Sequence, residues 1–138
     1  MALSRASCQC GALTLEASAD ADICIACNCS ACQKRTGSAF ATVAYIPKSA
    51  VSINGEQMSW SRKAESGRDV ENYFCPHCGT TVYWTLDFRP EHVGVLIGAF
   101  DSPRPDPSRV VWAKEKRPWV SFPAEFESFP EGSPTPRQ

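Results

Sequence analysis

Apolar and polar residues alternate along this 138-residue chain in short bursts, each interrupted by turn formers. Leu13 to Ala17 is one such burst and Ala21 to Ala26 another. Phe40 to Ile46 (FATVAYI) is rich in strand formers and stops at Pro47. Ala50 to Ile53 runs into Asn54-Gly55, a dipeptide that readily takes positive φ, so Glu56 to Arg62 is expected as the returning strand of a hairpin. Val70 to Phe74 leads into CPHCG, and Thr80 to Thr85 (TTVYWT) leads out of it. His92 to Gly98 (HVGVLIG) and Arg109 to Ala113 (RVVWA) complete the set. Short strands at close spacing predict an all-β domain. Cys32 to Ser38, polar and holding a glycine, suits a turn or one helical turn. No long amphipathic helix and no repeat of fixed period is legible.

The breaks between bursts carry information of their own. SPRPDPS at 102–108 reads as a rigid, exposed connection, because proline fixes φ and supplies no backbone donor. Residues 130–138 (PEGSPTPRQ) carry three prolines and little apolar content, so they read as a flexible tail behind a single domain over 1–129. The length suits one domain with a core of its own.

Charge narrows the partners. Fourteen basic residues face fifteen acidic ones, for a net charge of -1. That balance argues against a nucleic-acid binder, whose affinity rests on clustered Lys and Arg. No run approaches 18 consecutive apolar residues, and residues 1–17 lack the apolar stretch of a signal peptide, so the expected setting is cytoplasmic, away from membranes. In a reducing compartment the eight cysteines read as metal ligands or catalytic thiols before they read as disulfides.

Those cysteines form three groups: CQCG with Cys8 and Cys10, CIACNCSAC with Cys24, Cys27, Cys29 and Cys32, and CPHCG with Cys75 and Cys78. A C-x-x-C turn brings two sulfurs to one metal, and the glycine after it permits the tight backbone. Residues i and i+2 of an extended chain share a face, so Cys8 and Cys10 can supply the other two ligands of a four-sulfur structural zinc. Such a site would tie the N-terminal segment to a turn far along the chain and act mainly on stability. Cys27, Cys29 and Cys32 have the form C-x-C-x-x-C. Three ligands leave a fourth position for water or substrate, as catalytic zinc does, and a group bound there loses its proton more readily. Cys24 leaves a second reading open, a closed four-sulfur site. A disulfide-stapled domain and a thioredoxin-type redox pair are weaker alternatives, since neither a signal peptide nor a βαβ context is legible.

The remaining candidates are fewer. His77, inside CPHCG, reads as solvent-facing, and His92 as a surface histidine at a strand start. Trp60, Trp84, Trp112 and Trp119 read as core or pocket aromatics. Lys34 and Arg35 follow Cys32 directly and read either as a solvated turn or as an anion-binding edge beside the second metal. There is no G-x-S-x-G, no phosphate-binding glycine loop and no H-E-x-x-H.

The ordered set CQCG, CNCSACQKRTGSAF, CPHCG and VVWAKEKRPWV, spanning Cys8 to Phe129, resembles the glutathione-dependent formaldehyde-activating enzyme family. The resemblance implies a β-tent fold of twisted sheets, with a structural zinc on Cys8, Cys10, Cys75 and Cys78 and a catalytic-type zinc on Cys27, Cys29 and Cys32. It also implies a carbon–sulfur lyase that joins formaldehyde to its co-substrate glutathione as S-hydroxymethylglutathione, with two zinc ions per chain. On that reading Lys34 and Arg35 meet the acidic groups of glutathione. The chain has Asn28 where the family often has histidine, and Cys24 lies outside the family motif. The rival reading is a non-enzymatic zinc module for protein interaction, with both metals structural.

Overall fold

The computed structural model describes residues 3–64, 67–101 and 103–133. The chain is mainly β, in two sheets. The smaller is antiparallel and three-stranded, in the order β1 (Ser4–Ser7), β2 (Thr14–Ala17) and β5 (Val51–Asn54). The larger is mixed and eight-stranded. Its first half runs β11 (Glu127–Ser128), β10 (Arg109–Val111), β3 (Ile23–Cys27) and β4 (Ala41–Pro47). Its second half runs β9 (His92–Leu96), β8 (Thr81–Leu86), β7 (Asp69–Phe74) and β6 (Met58–Lys63). Among the described residues the one α-helix, α1 (Ser30–Thr36), sits between β3 and β4 and ends at Gly37, whose φ of 67° permits the left-handed cap. Among the described residues no helix is long and apolar enough to cross a membrane.

Strand alternation divides the core in two. Leu13, just before β2, and Leu15 and Ala17 of the small sheet pack with Ala44, Ile46, Val82, Val93 and Val95 of the large one. The opposite face of the large sheet buries Ile25, Val43, Tyr45, Trp84 and Val111 together with Cys29 and Cys32. Each fully buried Leu or Val contributes about 1.5–3 kcal/mol relative to exposure, so the first cluster fastens the two sheets together. The second forms the floor of the site.

The strands follow the alternating bursts closely, with one correction of pairing. Asn54-Gly55 turns the chain, but it does not make a hairpin: β5 pairs with β2 in the small sheet, while β6 pairs with β7 in the large one. Gly55 is required there by contact. Its φ is 107°, and a Cβ would lie 2.0 Å from the Ala12 carbonyl oxygen. The turn therefore hands the chain from one sheet to the other. Strands β1 and β11 are additional to the expected set. Two tryptophans depart from the expected core or pocket role, Trp60 on edge strand β6 and Trp119 in a loop being 61% and 75% exposed. The tail expected from Pro130 is held at its start: Trp112 and Lys114 donate backbone N–H bonds to the Glu131 and Pro130 carbonyls. Residues 134–138 lie outside the described residues, as does Ser102 in the expected proline-rich connection.

Candidate functional site

The turn joining β1 to β2 carries Cys8 and Cys10, and the turn joining β7 to β8 carries Cys75 and Cys78. The four sulfurs lie within 4.8 Å of one another. Cys8 and Cys10 are 3.7 Å apart, and Cys10 and Cys75 3.8 Å. A tetrahedron of sulfurs about 2.3 Å from a zinc ion has edges of about 3.8 Å, so the donor set and its spacing fit such an ion. Backbone N–H groups already point at the sulfurs: Leu13 donates to Cys8 Sγ at 3.2 Å and His77 to Cys75 Sγ at 3.4 Å. The Thr80 hydroxyl, 3.2 Å from Cys78 Sγ, is the main cause that holds the Cys78 thiol down to about 5. Cys10 goes the other way. Despite the Ala12 backbone N–H it is pushed up to about 11 by Cys8 and its other sulfur neighbours. Four clustered thiols cannot all ionise without a cation among them. His77 takes no part; its Nε2 is 2.8 Å from Glu56 on the surface.

The second group is Cys27 at the end of β3, Cys29 at the N-cap of α1 and Cys32 in its first turn, again within 4.8 Å of one another. The Cys32 N–H donates to Cys29 Sγ at 3.4 Å, so the helix cap is itself one of the three sulfurs. Hydrogen bonds from Cys27 and Cys32 pull the Cys29 thiol far down, and the same bond to Cys29 pushes Cys27 well up. Cys24 stands apart. It is three residues before Cys27 on the same strand, hence on the opposite face, where it packs against the inter-sheet core. Burial, helped by Asp106, raises its thiol pKa.

The end of β10 and the segment after it brace this loop. The backbone N–H and the side-chain Nδ2 of Asn28, fully buried, both donate to the Val111 carbonyl, at 3.1 and 3.0 Å. The Glu115 carboxylate accepts the Ser30 N–H at 2.8 Å, and Gln33 Nε2 donates to the Asn28 and Glu115 carbonyls at 2.8 and 3.1 Å. Between them Trp112 has φ 56°, the one positive value outside glycine among the described residues. Backbone held in that region costs about 1–3 kcal/mol, a strain tolerated here at the edge of the site.

The three sulfurs open onto a cleft of about 950 Å³. Tyr45, Val70 and Trp84 line its floor, and Arg62, Arg89 and Trp112 stand on its walls. Arg89 is 7% exposed, with its guanidinium 5.0 Å above the Tyr45 ring. Lys63 and Lys114 also face the cleft, paired with Asp69 at 2.7 Å and Glu131 at 2.6 Å. Lys34 and Arg35 do not line it. Lys34 is exposed, since each helical residue turns the side chain by about 100° and carries it away from Cys32. Arg35 lies 4.9 Å above the Trp84 ring and borders a separate cleft of about 620 Å³. Sequence adjacency to Cys32 was thus a poor guide, and Arg62, Arg89, Tyr45 and Glu115 come from segments with no spacing signal to the triad.

The model of the family described as glutathione-dependent formaldehyde-activating enzyme matches residues 3–115. A crystal structure of a Rhodobacter sphaeroides protein is similar in fold, with a TM-score of 0.56 and 20% identity, over 73% of this chain and 91% of that one. No curated protein matches.

Proposed function

Since the chain belongs to the glutathione-dependent formaldehyde-activating enzyme family, we propose that its larger cleft joins a thiol, glutathione, to formaldehyde, in the manner of a carbon–sulfur lyase acting in reverse. The observation that carries this reading is the open side of the cysteine triad, which faces about 950 Å³ of cleft. That volume is in the range of small-molecule sites, about 300–1,000 Å³. Cys27, Cys29 and Cys32 would hold one zinc ion, and Cys8, Cys10, Cys75 and Cys78 a second, structural one. When bound at the triad, zinc supplies a Lewis-acidic charge that favours the thiolate form of an incoming thiol.

The protein's own part is positioning. Arg62 and Arg89 place cationic groups on the walls for the two carboxylates of glutathione, a match of planar fork to carboxylate. Val70, Trp84 and Tyr45 give the reacting centre an apolar floor that limits water. In the reaction the thiol loses its proton, the sulfur attacks the aldehyde carbon, the carbonyl π pair moves to oxygen, and a proton returns to that oxygen. Holding the two reactants in register is the main source of acceleration. The interaction-module reading needs the triad closed, and the position of Cys24 on the other face of β3 weighs against it.

Exchange NMR of ¹³C-formaldehyde with glutathione, corrected for the uncatalysed rate, tests the reading. Zinc-loaded protein should exceed background, and Cys29→Ser should return the rate to background while keeping its fold. A two-zinc protein with no rate above background would overturn it.

A further inference from the structure

Three neighbouring strands place Tyr45, Gly94 and Trp84 in one row: Tyr45 pairs with Gly94 across β4 and β9, and Gly94 with Trp84 across β9 and β8. Side chains in a row of the same register point to the same face, so Tyr45 and Trp84 would ordinarily be separated by the residue between them. Here that residue has no side chain. A Cβ at Gly94 would lie 2.5 Å from Trp84 Nε1 and 2.9 Å from Val43 Cγ2. The indole occupies that space and its Nε1–H donates to the Tyr45 hydroxyl at 3.1 Å.

This contact settles the direction of the phenol. Indole N–H is only a donor, so the Tyr45 oxygen is the acceptor and its own proton is left to point elsewhere. No bond from that proton is satisfied by the described residues. Tyr45 is 6% exposed, lines the cleft, and packs in the same cluster as Cys29 and Cys32. A buried hydroxyl whose donor is unspent, on a residue that lines the same cleft as the three thiols, is a group waiting for an acceptor. The Arg35 guanidinium, 4.9 Å from the centre of the Trp84 ring, stacks on the same indole.

We propose that Tyr45 is the hydrogen-bond donor to the electrophile's oxygen in this cleft, and that Trp84 is the positioning residue that aims it. The inference rests on the thiol–aldehyde reading of the cleft. As the carbon–sulfur bond forms, the carbonyl π bond breaks and its electron pair collects on oxygen. The Tyr45 O–H meets that charge as it develops, and the proton released by the thiol completes the hydroxyl. Nothing is oxidised or reduced. A phenol is protonated, and so a donor, throughout the neutral range. A carboxylic or basic side chain is not needed for this role, which agrees with both histidines being hydrogen-bonded to surface carboxylates, His77 to Glu56 and His92 to Asp22.

Tyr45→Phe keeps the ring under Arg89 and removes only the hydroxyl. With zinc-loaded protein, kcat for adduct formation should fall by about 10²–10³, the loss typical of one donor to a developing oxyanion. KM for glutathione, the calorimetric affinity for S-methylglutathione and the zinc content should all stay at the wild-type values. Trp84→Phe should lower kcat with the same pattern by a smaller factor, because the phenol loses its aim but not its proton. Wild-type kcat in Tyr45→Phe overturns the proposal while leaving the cleft reading intact. A loss of zinc or of S-methylglutathione binding in step with kcat also overturns it, since the hydroxyl would then be structural. Absence of activity in the wild type instead removes the cleft reading, and the proposal with it.

Discussion

Trp84 Nε1 donates to the Tyr45 hydroxyl at 3.1 Å over an intervening strand, and the two residues meet only because that strand carries Gly94 between them. Gly94→Ala should therefore displace the indole or push Val43. Overpacking of this kind costs about 1–3 kcal/mol. A lower melting temperature together with a shifted tryptophan emission is the expected result. An unchanged spectrum would mean that the row has room the contact distances deny.

The four-sulfur cluster joins a turn of the small sheet to a turn of the large sheet, so its loss should act on the whole fold. Binding of a structural zinc is worth about 10–16 kcal/mol in small metal-folded peptides, comparable with the entire stability of an ordinary domain, about 5–15 kcal/mol. Cys75→Ser is expected to yield insoluble or unfolded protein, and a strong chelator should lower the melting temperature of the wild type. Soluble Cys75→Ser protein with a wild-type melt would break the structural assignment.

Cys24 provides the complementary test. Cys24→Ala removes a half-buried sulfur from the inter-sheet core, at a cost under about 1.5 kcal/mol for a near-conservative apolar change. Metal analysis should still find two zinc ions per chain. One ion would show that Cys24 reaches the second site after all.

Gly55→Ala should be among the most damaging substitutions of an exposed residue. It combines a backbone at φ 107° with a Cβ 2.0 Å from the Ala12 carbonyl. Strain and overlap together predict a loss of about 2–4 kcal/mol, read by thermal or urea denaturation. A loss below that of an ordinary surface change would show that the Ala12 turn yields.

What the sequence made legible was local. Alternation over Phe40–Ile46 and Thr80–Thr85 reflects strands buried on both faces or one, and cysteine spacing reflects the reach of a few bonds. The parity of Cys24 and Cys27 was also legible in principle, because a strand residue and its third neighbour cannot share a face. What was lost was the choice of partner. Asn54-Gly55 has hairpin chemistry, yet the strands on its two sides join different sheets, since burying Ile53 beside Leu15 and pairing Trp60 with Asn72 are long-range contacts. Trp60 and Trp119 were read from size alone, and their exposure depends on an edge and a loop that only the assembled sheet defines. Lys34 and Arg35 follow Cys32 in sequence, but helical rotation separates them: Lys34 is exposed, while Arg35, one turn from Cys32, stacks on Trp84. Tyr45, Arg62, Arg89 and Glu115 converge from four segments, and no spacing rule spans them.

Strand β10 runs parallel to β3, and its end and the residues just after it grip the triad loop through Asn28, Ser30 and Gln33. A parallel neighbour drawn from so far along the chain imposes an order in time. As the polypeptide leaves the ribosome, the three thiols emerge early, whereas Val111 and Glu115 emerge when most of the chain is already out. The bonds from Asn28 and Ser30 to Val111 and Glu115 can form only once that late segment has been made. Until then the triad's sulfurs are open to whatever metal or oxidant they meet, and any chain cut short before Arg109 keeps them in that unguarded condition.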